Sequence, residues 1–303
     1  FRHEQFPDLA SVLRSFLQQL DKPCKRAAVA VALPVRDDRL EFTNRAWTSS
    51  ATELRSQLDL TELRIVNDFA AAAAGLVSLS PDEVELICGE PRATAAPPAP
   101  KVLLGPGTGL GVAAVLPHSP APVIVPSEAG HMGCYPVDAV SMRVIVAAHE
   151  KWGRVSWERL VSGPGLAWID QCVREAEEPL APEQVVENAQ RGERNAKEAV
   201  RVFSALLGAF AGDICLAFGG DDGVYLGGGV LEGLGAGFAV DAFTATFSAK
   251  GRFAQRLARV PVFRLRAQDL AFRGLLGISS GAVAVPGLRV VKGETARENG
   301  CGA

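Results

Sequence analysis

Apolar and polar positions along the chain follow two periods in turn. Between residues 7 and 20, Leu9, Val12, Leu13, Phe16, Leu17 and Leu20 recur at the spacing of one helix face. Asp21-Lys22-Pro23 ends that helix. Residues 27–33 form a short apolar run stopped by Pro34, the pattern of a buried strand. A polar turn at Arg36-Asp37-Asp38 and a short strand over 40–42 follow. Residues 50–58 predict a helix and 63–66 a strand. Asn67-Asp68 stands where that strand gives way to a helix opened by Phe69 and a run of alanines. Residues 7–75 thus read helix, strand, helix, strand, helix, an α/β order with parallel strands covered on both faces.

Residues 89–100 are rich in proline and alanine, which suits a linker and equally a surface loop. Beyond them, short apolar runs at 102–104, 112–116 and 123–125 predict an antiparallel meander. Helical spacing dominates 141–218. Val224-Tyr225-Leu226 reads as a strand ending in Gly227-Gly228-Gly229, with a helix after it. One more strand is expected over 260–265, and a last helix opens at Gly274-Leu275-Leu276-Gly277. The second half therefore repeats the element order of the first, preceded by a meander that the first half lacks. Two copies of one architecture fit this order, although no residue-level repeat supports it.

Composition narrows the class. With 303 residues, one large or two ordinary domains are expected. The chain is 48% hydrophobic and 21% charged, which excludes wholesale disorder. Its 31 basic and 34 acidic residues give a net charge of -3 without a like-charged tail, so no nucleic-acid partner is expected. Cys24, Cys88, Cys134, Cys172, Cys215 and Cys301 are scattered with no C-x-x-C pair. That argues against zinc and against a disulfide framework, and fits a reducing compartment. The first residues lack the basic-then-apolar pattern of a signal peptide. The uncharged stretch 102–127 holds too many glycines and prolines to cross a bilayer as a helix, so no membrane is expected. Residue 1 is Phe, so the chain need not begin where its gene does.

Several residues invite chemistry. The turn from Gly105 to Gly111, with Thr108 at its centre, lets backbone N–H groups approach an anion. It lacks the Lys-Ser/Thr of a Walker A loop and the third glycine of a dinucleotide fingerprint, and a plain glycine hairpin remains an alternative. Asp68, at the carboxyl end of a parallel strand, can accept a proton from an alcohol. Asn67 and Asp68 serve equally well as caps for the next helix. Glu128 and His131, three apart in a loop, suit the vicinal hydroxyls of a polyol; ordinary surface polarity is the plainer reading. No third ligand accompanies them for a metal. Glu158 stands at the start of a helix, where a carboxylate also favours the helix dipole. Gly227, Gly228 and Gly229 allow a second close backbone approach, or simply tight strand–helix packing.

Taken together these residues resemble the bacterial-type glucokinases of the actin-like sugar kinases. The resemblance runs in order through Thr43-Asn44, Val66-Asn67-Asp68-Phe69, Gly107-Thr108-Gly109-Leu110-Gly111-Val112 and Glu128-Ala129-Gly130-His131. It continues through Glu158-Arg159, Ser162-Gly163-Pro164-Gly165-Leu166, the 227–229 glycines, Lys250-Gly251-Arg252-Phe253 and Gly274-Leu275-Leu276-Gly277. The implied fold is α/β, the actin-like ATPase (ribonuclease H-like) type, in two lobes. A small lobe would hold residues 1–100, with 274–303 returning to it, and a large lobe residues 101–273. The implied reaction is ATP-dependent phosphorylation of glucose at its 6-hydroxyl, the first step of glycolysis, in the cytoplasm. Asp68 is implied as the base, and Asn67, Glu128, His131 and Glu158 as glucose ligands. Gly107, Thr108 and Gly109 are implied in phosphate binding and Gly227, Gly228 and Gly229 in the adenosine pocket. Mg²⁺ would share the phosphate charge, and a homodimer is among the expected assemblies.

The chain departs from the family at three places. The opening meander with Asp-x-Gly-Gly-Thr is absent, which suggests a partial sequence of a normal enzyme, or alternatively a shortened sugar-binding or regulatory paralogue without catalysis. Its absence would leave the strands at 27–33 and 63–66 short of sheet neighbours, an aggregation hazard. Ala129 stands where glycine is usual, and the tail 288–303 does not match and is expected to be disordered. The zinc-binding cysteine cluster of the related repressor/kinase branch is represented only by Cys134, so zinc is not expected. A separate reading, a nicotinamide-dependent oxidoreductase, rests on the glycine turn with Glu128 beyond it. That reading requires a helix rather than a strand at 112–116.

Overall fold

The protein is described from a computed structural model covering residues 5–33, 35, 37–42, 47–93 and 95–293. Thr43-Asn44 and the last ten residues lie outside these. Two compact units make up the chain: Phe1–Gly75 with Leu270–Ala303, and Leu76–Asp269.

The first unit opens with α1 (Leu9–Leu17), capped by Asp8, whose side chain accepts from Ser11 N. Strand β1 (Arg26–Val31) follows, then a two-stranded ribbon of β2 (Arg39–Glu41) and β3 (Thr48–Ser50). Helix α2 (Ala51–Gln57) starts on Ser50, and β4 (Glu62–Asn67) runs parallel to β1. Helix α3 (Asp68–Gly75) leaves the end of β4. Leu40, Leu54, Leu63 and Ile65 are fully buried at the centre of this unit's core. The amphipathic spacing at the start of the chain is explained by Leu9, Leu13 and Leu17 packing on that core.

The second unit begins with β5 (Val84–Cys88), which no sequence pattern had singled out. It carries Glu85 among four apolar residues and lies at a sheet edge, half exposed, so its apolar signal is weak. Strands β6 (Lys101–Pro106), β7 (Leu110–Leu116) and β8 (Val123–Ser127) form the expected antiparallel meander. Five helices follow: α4 (Ala139–Trp152), α5 (Trp157–Leu160), α6 (Gly163–Arg174), α7 (Pro182–Gln190) and α8 (Arg194–Phe218). Strand β9 (Val224–Leu226), helices α9 (Gly229–Leu234), α10 (Val240–Ser248) and α11 (Ala254–Leu257), and strand β10 (Val262–Leu265) complete the unit. The sheet order is β5-β10-β9-β6-β7-β8, with β6, β9 and β10 parallel. Because β5 pairs with β10, residues 89–100 connect two strands of one sheet, and the expected lobe boundary at residue 100 falls inside this unit. Helix α8 has the length and apolar character of a membrane span, but 83% of its most apolar stretch is buried, its Phe203, Leu206 and Phe210 included.

The chain then returns to the first unit. Helix α12 (Leu270–Ser280) starts four residues before its expected glycine motif and packs along α3. Gly274 makes that possible: a Cβ there would stand 1.8 Å from Ala71 O. The expectation of disorder from residue 288 is corrected by β11 (Arg289–Lys292), which pairs antiparallel with β4. Thus β4 has neighbours on both sides, and among the described strands β1 and β11 form the two edges of this sheet. Asp38 secures the arrangement: its carboxylate accepts from Thr52 N (3.1 Å), Thr52 Oγ1 (2.8 Å), Arg289 Nη2 (2.8 Å) and the Ser50 hydroxyl.

Candidate active site

Strand β4 delivers Asn67 and Asp68 to the start of α3. Asn67 Oδ1 accepts from the backbone N–H groups of Phe69 and Ala70, both at 3.0 Å, so its side chain caps the helix. Its amide nitrogen donates to Leu33 O at 3.3 Å and carries a second N–H that a ligand hydroxyl can accept. Asp68 is exposed, with Oδ1 accepting from Phe69 N at 2.7 Å. Both side chains thus accept from Phe69 N at the start of α3, and the Asp68 carboxylate also lies at the carboxyl end of a parallel strand.

In the second unit the β6–β7 turn is closed by Gly107 N donating to Gly109 O at 2.8 Å. The start of α6 abuts it, with Gly163 N donating to Gly107 O at 2.8 Å. Gly228 bridges β9 and α9 with φ +97°, and a Cβ on it would lie 2.6 Å from Pro106 O. Only glycine meets both demands. A cavity of about 580 Å³ opens beside these turns, lined by Gly107, Thr108, Gly163, Gly229, Glu183 and Val186 among others. Three of the six expected nucleotide-site residues, Gly107, Thr108 and Gly229, thus line it. Gly227 and Gly228 shape the turn behind it, Gly227 N donating to Leu104 O at 2.9 Å. The α7 residues in its lining were not foreseen, because a helix face with Glu183 and Val186 looks like any amphipathic surface.

Beyond β8 a tight 3-10 turn, Ala129–His131, holds the second cluster. His131 N donates to Glu128 O at 3.0 Å, and Gly130 nestles where a Cβ would be 2.5 Å from Leu110 O. The His131 ring stands between two carboxylates: Nε2 is 4.0 Å from Glu128 Oε2 and Nδ1 is 3.7 Å from Glu158 Oε1. Glu128 and His131 are more than half exposed, and Glu158 about one third, so all three can meet a ligand. Glu158 occupies the first turn of α5, as its sequence position suggested, and does more there. Its Oε2 accepts from Leu110 N at 2.9 Å, which ties α5 to the β6–β7 turn. Gly109 leaves room for this, since a Cβ would sit 2.6 Å from that oxygen. Nothing in the sequence marks this link, because residues 109 and 158 share no motif.

Among the described residues no group of three His, Cys, Asp or Glu side chains could hold a metal ion. Burial pushes the Cys134 thiol up to about 12, so it is a protonated packing group and a poor metal ligand. The oxidoreductase reading is overturned by β7: residues 110–116 are a strand, and no helix follows the glycine turn.

Glycine turns that line a cavity, and a carboxylate–imidazole–carboxylate cluster tied to one of those turns through Glu158, suit an anionic ligand and a hydroxyl-bearing one. The comparisons narrow this. A family model described as Glucokinase matches residues 1–281. The chain is 39% identical over 259 residues to a glucokinase of Cupriavidus metallidurans, covering 83% of this chain and 76% of that one. It is 35% identical over 279 residues to the bifunctional protein glk of Paraburkholderia xenovorans, covering 90% of this chain but only 43% of that longer relative. A crystal structure of glucokinase from an Antarctic psychrotroph superposes with a TM-score of 0.80 at 27% identity, covering 91% of this chain and 87% of that one. The chain belongs to the glucokinase family.

Proposed function

We propose that the chain transfers the γ-phosphoryl group of ATP to the 6-hydroxyl of glucose. Asp68 takes the hydroxyl proton as the oxygen–phosphorus bond forms, and ADP leaves with the electrons of the broken bond. Glu128, His131 and Glu158 bind the sugar hydroxyls, with Asn67 donating its second amide N–H. Backbone groups around Gly107–Gly109 and the Thr108 hydroxyl receive phosphate, and the 227–229 turn faces the nucleoside. The observation that carries this reading is the placement of His131 within 4.0 Å of two carboxylates, beside a glycine-lined cavity. Such a set offers both donors and acceptors, so an analogue lacking a hydroxyl leaves polar groups unpaired and binds poorly. The protein's share of the catalysis is positioning of the two reactants, which can supply several powers of ten in rate. The described residues provide no cage for Mg²⁺; the ion is proposed only as a companion of the nucleotide phosphates, where one or two carboxylates commonly suffice.

A coupled ADP-release assay with glucose tests the reaction. Asp68→Asn should reduce turnover at least a hundredfold, the usual scale of a lost general base, while glucose still quenches or shifts tryptophan fluorescence at similar concentrations. Turnover by that variant close to the parent's removes Asp68 from the role. Glucose binding without ADP release by the parent chain favours the non-catalytic alternative.

A further inference from the structure

Four residues past His131, Tyr135 joins a polar network that the proposed reaction leaves unused. Lys250, just after α10, has a side chain only 9% exposed. Its three ammonium N–H groups are all placed: Nζ donates to Asp213 Oδ1 (2.6 Å), Ala209 O (2.8 Å) and Tyr135 Oη (2.7 Å). Tyr135 Oη in turn donates to Asp213 Oδ2 at 2.8 Å. Burial and the Asp213 carboxylate hold the Tyr135 phenol above its ordinary range, so it stays a donor at neutral pH. Gly212 admits the lysine, since a Cβ there would lie 2.6 Å from Lys250 Cε.

Tyr135 connects this network to the candidate sugar site by packing. Its ring meets Trp157 edge-on with centroids 4.9 Å apart, and Trp157 packs on Phe210 at 5.3 Å. Trp157 directly precedes Glu158, and Tyr135 lies four residues after His131. The two segments are stitched together: Cys134 N donates to Val155 O and Trp157 N to Met132 O, both at 3.0 Å, around a bridge between Gly133 and Ser156. The lysine is withdrawn from water while Asp213 keeps about a third of its side chain exposed, and such a pair adds little net stability. Its fixed hydrogen-bond directions set geometry instead.

We propose that Lys250, Asp213 and Tyr135 form a positioning device that fixes His131 and Glu158 for sugar binding. The proposal rests on the glucokinase reading of those two residues. The network touches neither glucose nor ATP; it acts through the Tyr135–Trp157 contact and the paired segments.

Steady-state kinetics with glucose and ATP varied separately test it. Tyr135→Phe keeps the ring and removes the hydroxyl. Glucose KM should rise roughly five- to tenfold, the scale of one hydrogen bond, with kcat within about twofold and ATP KM unchanged. Lys250→Met should do the same or more, Lys250→Arg should restore part of the loss, and the double variant should be no worse than Lys250→Met alone. A folded Tyr135→Phe enzyme with parental glucose KM overturns the proposal, as does a uniform loss of kcat with no change in glucose KM. If Lys250→Met does not fold, Tyr135→Phe decides alone. Glu158→Gln separates the two levels. A raised glucose KM in Glu158→Gln but not in Tyr135→Phe removes the positioning role only. No effect in Glu158→Gln removes Glu158 as a sugar ligand, and the proposal with it.

Discussion

Gly109 and Glu158 define one another at the scale of single residues. The space a side chain would need at 109 is filled by the Glu158 carboxylate, which accepts from Leu110 N. Gly109→Ala should therefore leave the fold intact, because a carboxylate at the end of a flexible side chain can move aside. It should displace Glu158 and raise glucose KM by roughly tenfold, the loss of one charged hydrogen bond. Glucose titration of that variant checks this, and an unchanged KM would detach Gly109 from sugar binding. Asn67 and Glu158 also show what a single residue type conceals. Each was legible as a helix-terminal residue from its place in the sequence, and each proves to be one. Their other contacts, Asn67 to Leu33 and Glu158 to Leu110, join residues 34 and 48 positions apart, and no local pattern encodes such distances.

Asp38 shows how a turn residue can hold elements together. Hydrogen bonds from the Ser50 hydroxyl first, then from Thr52 and Arg289, lower its pKa from 3.8 to about 2. A carboxyl group with a depressed folded pKa stabilises the fold above its unfolded value and loses that contribution as pH falls through the folded one. The first unit should accordingly weaken between about pH 4 and pH 2. Asp38→Asn should flatten that part of the stability profile, as followed by urea midpoints at stepped pH. In the sequence Asp38 belonged only to a polar turn, since Ser50 and Arg289 are remote along the chain. Elements with strong periodicity were readable: α1, β1, β4 and the meander all stand within a few residues of their expected places. Strand β5 and strand β11 were not. Each is short and half exposed, and each exists because a partner strand, β10 or β4, supplies the ladder. Pairing of that kind is a tertiary property.

On the scale of the whole molecule, each unit closes its own core, so loss of packing in one need not spread to the other. Gly274→Ala provides the test. The added methyl would press on the Ala71 carbonyl, where α12 crosses α3, at a cost of roughly 1–3 kcal/mol. Hydrogen exchange by mass spectrometry should show faster exchange in α3, α12, β1 and β4, with protection over 76–269 unchanged. Acceleration in both units would mean that they unfold as one. The order of elements was visible in the sequence down to the repeated helix–strand alternation, whereas the division of the chain was not, since composition at 89–100 marks a loop within a sheet as readily as a boundary. The hydrogen bond from Leu110 to Glu158 has a thermodynamic corollary. It joins the turn beside the cavity proposed for the nucleotide to a carboxylate proposed to bind the hexose, so on that reading ordering either partner biases the other. Such a bias is symmetric by linkage: whatever factor sugar adds to nucleotide affinity, nucleotide must return to sugar.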